Sequence, residues 1–167
     1  FSLDEKDIFE YLRHILMHYR KTEPTQEEFQ HLKDRYEAIG GSPLYSITEQ
    51  IAAAVQETFD LGSPGRFKVY MAMKHSPPLI EDVVRAISES GLTQAVAVAL
   101  APFRSRLSSD AYYEIVGQAN DQLDHPLQWS YAGDWHLHPL FLELWSKSIE
   151  EALNKYDEAP MVIFTNH

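Results

Sequence analysis

The chain contains no cysteine, which removes a disulfide framework, a thiolate nucleophile and any thiolate metal site from consideration. That absence fits a reducing compartment. There is also no apolar run near the roughly 18 residues needed to cross a bilayer and no signal-peptide pattern, so a soluble, cytoplasmic protein is expected. Positive charge is scarce: 14 Lys and Arg stand against 25 Asp and Glu, giving a formal net charge of −11 with no basic run. Nucleic acid and anionic membrane surfaces both require a concentrated positive footprint, and none is expected as a partner on charge alone. A small anion is a separate case, because a pocket can be locally positive or lined by backbone N–H groups.

Catalytic signatures are equally thin. Gly40-Gly41-Ser42-Pro43-Leu44 has no strand before it and no Lys-Ser/Thr after it, so it reads as a helix end and fixed turn rather than a phosphate loop. Its successive N–H groups and Ser42 can still receive an anionic substituent. No nucleophile elbow and no carboxylate pair at catalytic spacing is evident, which demotes acyl transfer and glycoside hydrolysis.

What is present suits a globular domain. The 167 residues are 44% hydrophobic, with nine Tyr, eight Phe and three Trp, enough for a single core. From Asp4 to Tyr19 the apolar residues Ile8, Phe9, Leu12, Ile15, Leu16 and Tyr19 recur at helical spacing. Thr25 with Glu28 three residues on forms a capping box for a second helix ending at Ala38, where Gly40 and Gly41 stop it. Thr48 is the expected cap of a third helix through ITEQIAAAVQETF. Further helices are expected from Leu79 to Ser90, from Ser109 to Leu123, and over HPLFLELWSKSIEEALNKY with Pro139 in the first turn.

Four segments read as strands: RFKVYMAMK, QAVAVALAP, PLQWSYA and APMVIFTNH. The second is nearly continuous in apolar residues, the pattern of a parallel strand with both faces covered. Alternating strands and helices predict an α/β fold, a three-layer sandwich with a mostly parallel sheet. Ligands of open α/β sheets bind beyond the carboxyl ends of the strands. The loops at Lys74-His75, Pro102-Phe103-Arg104, Gly133-Asp134-Trp135-His136 and Thr165-Asn166-His167 are therefore expected on one rim.

His167 on that rim can be a metal ligand or general base, since its imidazole titrates near neutrality and its neutral form binds first-row metals; as a terminal residue it can equally be without a role. His136-x-His138 with His125 upstream is a weak metal signal, having no carboxylate cluster beside it, and surface or capping roles rank ahead. His75 precedes a Ser-Pro-Pro turn, where local hydrogen bonding is as good an explanation as ligand binding. Arg104 and Arg106 either grip carboxylates bidentately or lie solvated on the rim.

Taken together, LKDRYEAIGGSPLYSITEQ, the Lys74-His75 strand end, IEDVVRAISESGLTQAVAVALAP and a strand ending FTNH resemble the N-terminal half of ferrochelatases, especially the single-chain Bacillus type. The resemblance covers nearly the whole chain. It implies that residues 1–167 are an N-terminal ferrochelatase-like α/β lobe lacking the family's initial strand and its C-terminal lobe, and that the isolated fragment is inactive. It further implies a lyase of haem biosynthesis that inserts ferrous iron into protoporphyrin or coproporphyrin, with Fe(II) as substrate and no tightly bound cofactor.

Carried over residue by residue, His167 matches the family histidine proposed as iron ligand or acceptor of pyrrole protons. Ser42 matches a region lining the substrate's carboxylate side, and Arg20 lies near the arginine-rich segment that holds porphyrin propionates. Lys74 and His75 match the family's strand end, and Trp135, Pro139 and Phe141 resemble its loop and helix after the third strand. The departures are Leu16 and Met17 where Bacillus-like members carry arginines, and Phe103 where the family commonly has His. They motivate an alternative, a non-catalytic porphyrin- or haem-binding or interaction module. The resemblance also admits a peripheral membrane or haem-acceptor contact and a monomeric full-length protein.

Overall fold

In the computed structural model, residues 4–106, 108–133, 135–156 and 160–163 are described. The first helix, α1 (Glu5–Tyr19), begins where an acceptor side chain permits it: Asp4 accepts from the Lys6 N–H at 2.8 Å. Glu5 and Asp7 in its first turn suit the positive end of the helix dipole. Helix α2 (Gln26–Ala38) has the anticipated capping box, in which Thr25 Oγ1 accepts from the Glu28 N–H and Glu28 accepts in return from the Thr25 N–H. It ends at Gly40 and Gly41, whose φ values of 70° and 95° explain glycine there. Phe9 meets Phe29 and Tyr11 meets Tyr36 edge-on, which packs α1 against α2.

Helix α3 (Leu44–Gly62) is capped five residues before the position expected. Pro43 stands at its cap, and Thr48 lies inside it with its hydroxyl donating back to the Leu44 carbonyl at 2.8 Å. Proline's fixed φ and missing N–H make it an effective helix start without a capping side chain. Helix α4 (Ile80–Glu89) buries Ile80, Val84 and Ile87, a spacing that keeps one face inward, and Gly91 at φ 81° terminates it.

The expected first strand, RFKVYMAMK, does not join a sheet. Gln56 of α3 occupies its backbone groups instead: its amide donates to the Phe67 carbonyl at 3.1 Å and accepts from the Val69 N–H at 2.7 Å. A side-chain amide offers the same donor and acceptor pair as a neighbouring strand, so two of this segment's backbone groups are met without one. Its end carries a single parallel bridge between Met73 and Leu79.

The sheet among the described residues has two strands, β1 (Gln94–Ala97) and β2 (Gln128–Tyr131), parallel and in register from Gln94 opposite Gln128 to Ala97 opposite Tyr131. Helix α5 (Ser109–Asp121) is the crossover between them, as a parallel pair requires. Helix α6 (Pro139–Leu153) follows, with Pro139 in its first turn and His138 accepting from the Leu140 N–H at 3.3 Å. His138 is thus a capping residue. The last expected strand contributes no sheet pairing over residues 160–163, and the rest of it lies outside the described residues. The architecture is helix-rich α/β with a small parallel sheet.

The chain divides into two units. One contains the residues up to Leu92 together with Gln118–Pro126, and the other contains Thr93–Gly117 and the described residues from Leu127 onward. The first buries Ile8, Leu16, Ile80, Val84 and Ile87; the second buries Ala99, Val116 and Leu127. No helix among the described residues is long and apolar enough to cross a membrane.

Candidate functional site

Three histidines gather in the first unit. His14 and His18, one turn apart on α1, share a helix face, and His75 enters from the turn after Lys74. Nδ1 of His14 lies 3.0 Å from Nδ1 of His75, hydrogen-bond distance between two atoms that cannot both be acceptors. One ring must therefore carry its proton on Nδ1 while the other presents a lone pair. The His18 and His75 ring centres are 5.6 Å apart, and Tyr19 and Tyr11 complete the aromatic wall at 5.8 and 6.5 Å from His75.

Lys74 is buried beside this group. Its ammonium donates to the Tyr19 hydroxyl at 2.8 Å and lies 5.1 Å from that ring's centre, so Tyr19 offers both an oxygen and a π-face. Burial pushes the His75 imidazole down to about 4, with the Lys74 charge and then His14 and His18 adding to the effect. His18 is lowered too, first by burial and then by Lys74, Lys21 and His14, against an opposing pull from Glu81. At neutral pH, His75 is an uncharged ring.

In the second unit the loops after β1 and β2 meet, two of the four expected on one rim; Lys74-His75 belongs to the first unit and follows a segment that forms no strand, and 165–167 lie outside the described residues. Phe103 stacks on His136 with centres 5.3 Å apart and planes 30° off parallel. Trp135 donates its indole N–H to the Ala99 carbonyl at 3.0 Å and packs edge-on against Phe141, which continues to Trp145. Nδ1 of His136 is buried without a hydrogen-bond partner among the described residues. Arg104 pairs with Asp110 at 3.0 Å in an exposed position, the solvated alternative of its two readings.

The residues singled out for substrate binding fall as follows. Ser42 sits in the turn before α3, its hydroxyl accepting from the Leu44 N–H at 3.3 Å. Arg20 closes α1 and pairs with Glu28 at 3.3 Å. Leu16, at an expected arginine position, is buried in the core, and Met17 is exposed. His167 and Asp134 lie outside the described residues. Among the described residues no group of three or more His, Asp or Glu is arranged to hold a metal ion.

Sequence reasoning singled out His75 and passed over His14 and His18. Their spacing of four along a helix was the available signal, since it places both rings on one face. Which loop that face meets is a tertiary fact.

Comparison with known proteins bears on the whole chain. The ferrochelatase family model matches residues 3–167. A coproporphyrin III ferrochelatase of Bacillus pumilus is 40% identical over 149 residues, covering 88% of this chain and 46% of that protein. Coproporphyrin III ferrochelatase 2 of Bacillus anthracis is 35% identical over 170 residues, covering 99% of this chain and 51% of the relative. A ferrochelatase of Herpetosiphon aurantiacus is 32% identical over 149 residues, or 86% of this chain and 49% of its own length. The chain spans about half the length of these curated relatives.

Proposed function

Because the chain belongs to the ferrochelatase family, we propose that it is the N-terminal lobe of a lyase that inserts ferrous iron into a porphyrin during haem biosynthesis. The match over residues 3–167, with relatives named coproporphyrin III ferrochelatases at up to 40% identity, is the observation that carries this reading. It favours coproporphyrin over protoporphyrin, since several of those relatives carry that substrate in their names. The proposed location is the cytoplasm, and the proposed complete fold is the three-layer sandwich, of which the parallel β1–β2 pair is one part.

Metallation asks for three things: a distorted macrocycle that exposes pyrrole nitrogens, removal of two protons, and a metal that exchanges water for nitrogen. His167 is proposed to take up pyrrole protons or to hand over iron. Ser42 and Arg20 are proposed on the carboxylate side of the substrate, where Arg20 would exchange Glu28 for a propionate. The opposing wall and its acidic partner are assigned to the rest of the longer protein, and residues 1–167 alone are expected to be inactive.

The test is Fe(II) insertion into coproporphyrin III by the full-length protein, followed by haem absorbance. Replacing His167 with Ala should lower turnover by about 10²-fold or more, the loss expected for a general base, with the circular dichroism spectrum unchanged. Normal turnover in that variant overturns the role of His167. Porphyrin binding without metallation in the unmodified full-length protein would favour the binding-module reading, for which buried Leu16 at an expected arginine position is the supporting observation.

A further inference from the structure

We propose that His14 and His75 form an acid-releasable clasp that fixes the C-terminal half of α1 to the Lys74–Pro78 turn through one shared proton and lets go when both rings are protonated. The geometry dictates the number of protons. With Nδ1 atoms 3.0 Å apart, the contact holds when one nitrogen carries a hydrogen and the other a lone pair.

Adding one proton to the pair is tolerated, because the charged ring donates to the neutral one and the bond becomes charge-assisted. Adding a second places two N–H hydrogens head to head and two cations in contact. The bond is lost and a repulsion replaces it.

The surroundings sharpen the response. His75 faces His14, His18, Tyr11 and Tyr19 from α1 and has Lys74 beside it in its own turn. His18 in turn is acted on by Lys74, Lys21 and His14, with Glu81 of α4 as the opposing charge. Among the described residues no carboxylate acts on His75, so a second positive ring there meets no opposing charge from them. Release also strains the Lys74–Tyr19 bond, because Lys74 is the chain neighbour of His75 and Tyr19 follows His14 by five residues on the same helix.

The N-terminal half of α1 is held differently. Ile8 is fully buried, and Phe9 and Tyr11 pack on Phe29 and Tyr36 of α2. These are contacts between apolar and aromatic faces, with an ion pair between Glu5 and Lys33 of α2 beside them. Acidification therefore loosens the stretch from His14 to Arg20 and leaves the α1–α2 packing in place.

Hydrogen exchange of the full-length protein, corrected for the intrinsic pH dependence of amide exchange, tests this. Residues 14–20 should lose protection by tenfold or more between pH 7 and 4, while α2 keeps its own. His14→Asn should move the midpoint down by at least one pH unit, because an amide oxygen at position 14 accepts from a protonated His75. Equal midpoints in the two proteins, or a loss shared equally by α2, overturn the clasp. Should His14→Asn not fold, the imidazole nitrogen resonances of the unmodified protein decide: two separated protonation steps for the pair support it, and two independent titrations overturn it.

Discussion

The two units bury different kinds of surface. In the first, Ile8 and Val84 are 0% and 2% exposed, α1 packs on α2 through aromatic pairs, and α4 turns Ile80, Val84 and Ile87 inward. In the second, the buried apolar residues among those described are Ala99, Val116 and Leu127, while Val96 on β1 is 67% exposed and Leu144 on α6 is 61% exposed. A two-stranded parallel pair of four residues per strand does not generate a core by itself. The first unit is held by apolar packing, and the second by a few hydroxyl and indole bonds that pin loop ends.

Deleting packing should therefore hurt the first unit most. Ile8→Ala removes a fully buried side chain from α1 and is expected to cost about 2–4 kcal/mol, read from urea unfolding followed by helical circular dichroism. A cost near that of an exposed valine, obtained with Val96→Ala as the control, would erase the distinction between the units.

Acid should separate the units next. His75 takes up its proton at an ordinary value near 6.5 when unfolded and at about 4 when folded, so the unfolded chain binds more protons between those values. Stability then falls as pH drops from about 6.5 to about 4 and levels off below. Allowing for partial solvent screening, the expected loss is on the order of 2 kcal/mol. His75→Phe should flatten that slope, and an unchanged slope would remove His75 as its source.

The helices were legible in the sequence because their signals are local. Thr25 with Glu28, Asp4 ahead of an amphipathic run, and Pro139 opening α6 each fix a boundary within one turn of chain. What failed was non-local. RFKVYMAMK has strand composition, but Gln56 of α3 satisfies its backbone, and no local pattern announces that exchange. QAVAVALAP was expected to be covered on both faces, yet Val96 and Val98 are exposed in the structure. The site divides likewise: His75 stands out in the sequence at the end of RFKVYMAMK, which forms no strand, whereas its pairing with His14 depends on how α1 lies against the turn after Lys74.

The smallest expected effect concerns how the second unit manages with so little core. Tyr113 on α5 places one hydroxyl between the ends of both strands, donating to the Ala132 carbonyl at 2.7 Å and accepting from the Ala99 N–H at 3.2 Å. Ala132 follows β2 and Ala99 lies just beyond β1, so a single oxygen ties the two strand ends that lead into the Phe103 and Trp135 loops. Tyr113→Phe keeps the ring, which packs 4.9 Å from Tyr131, and deletes only that oxygen. Two hydrogen bonds of modest net worth are lost and a partly buried N–H and C=O are left to find water, for about 1 kcal/mol. The more telling readout is local: amide exchange at Ala99 and in the 132–136 loop should accelerate while α1 and α2 stay protected. If exchange instead rises uniformly across both units, the hydroxyl serves the whole fold and the second unit does not depend on such pins.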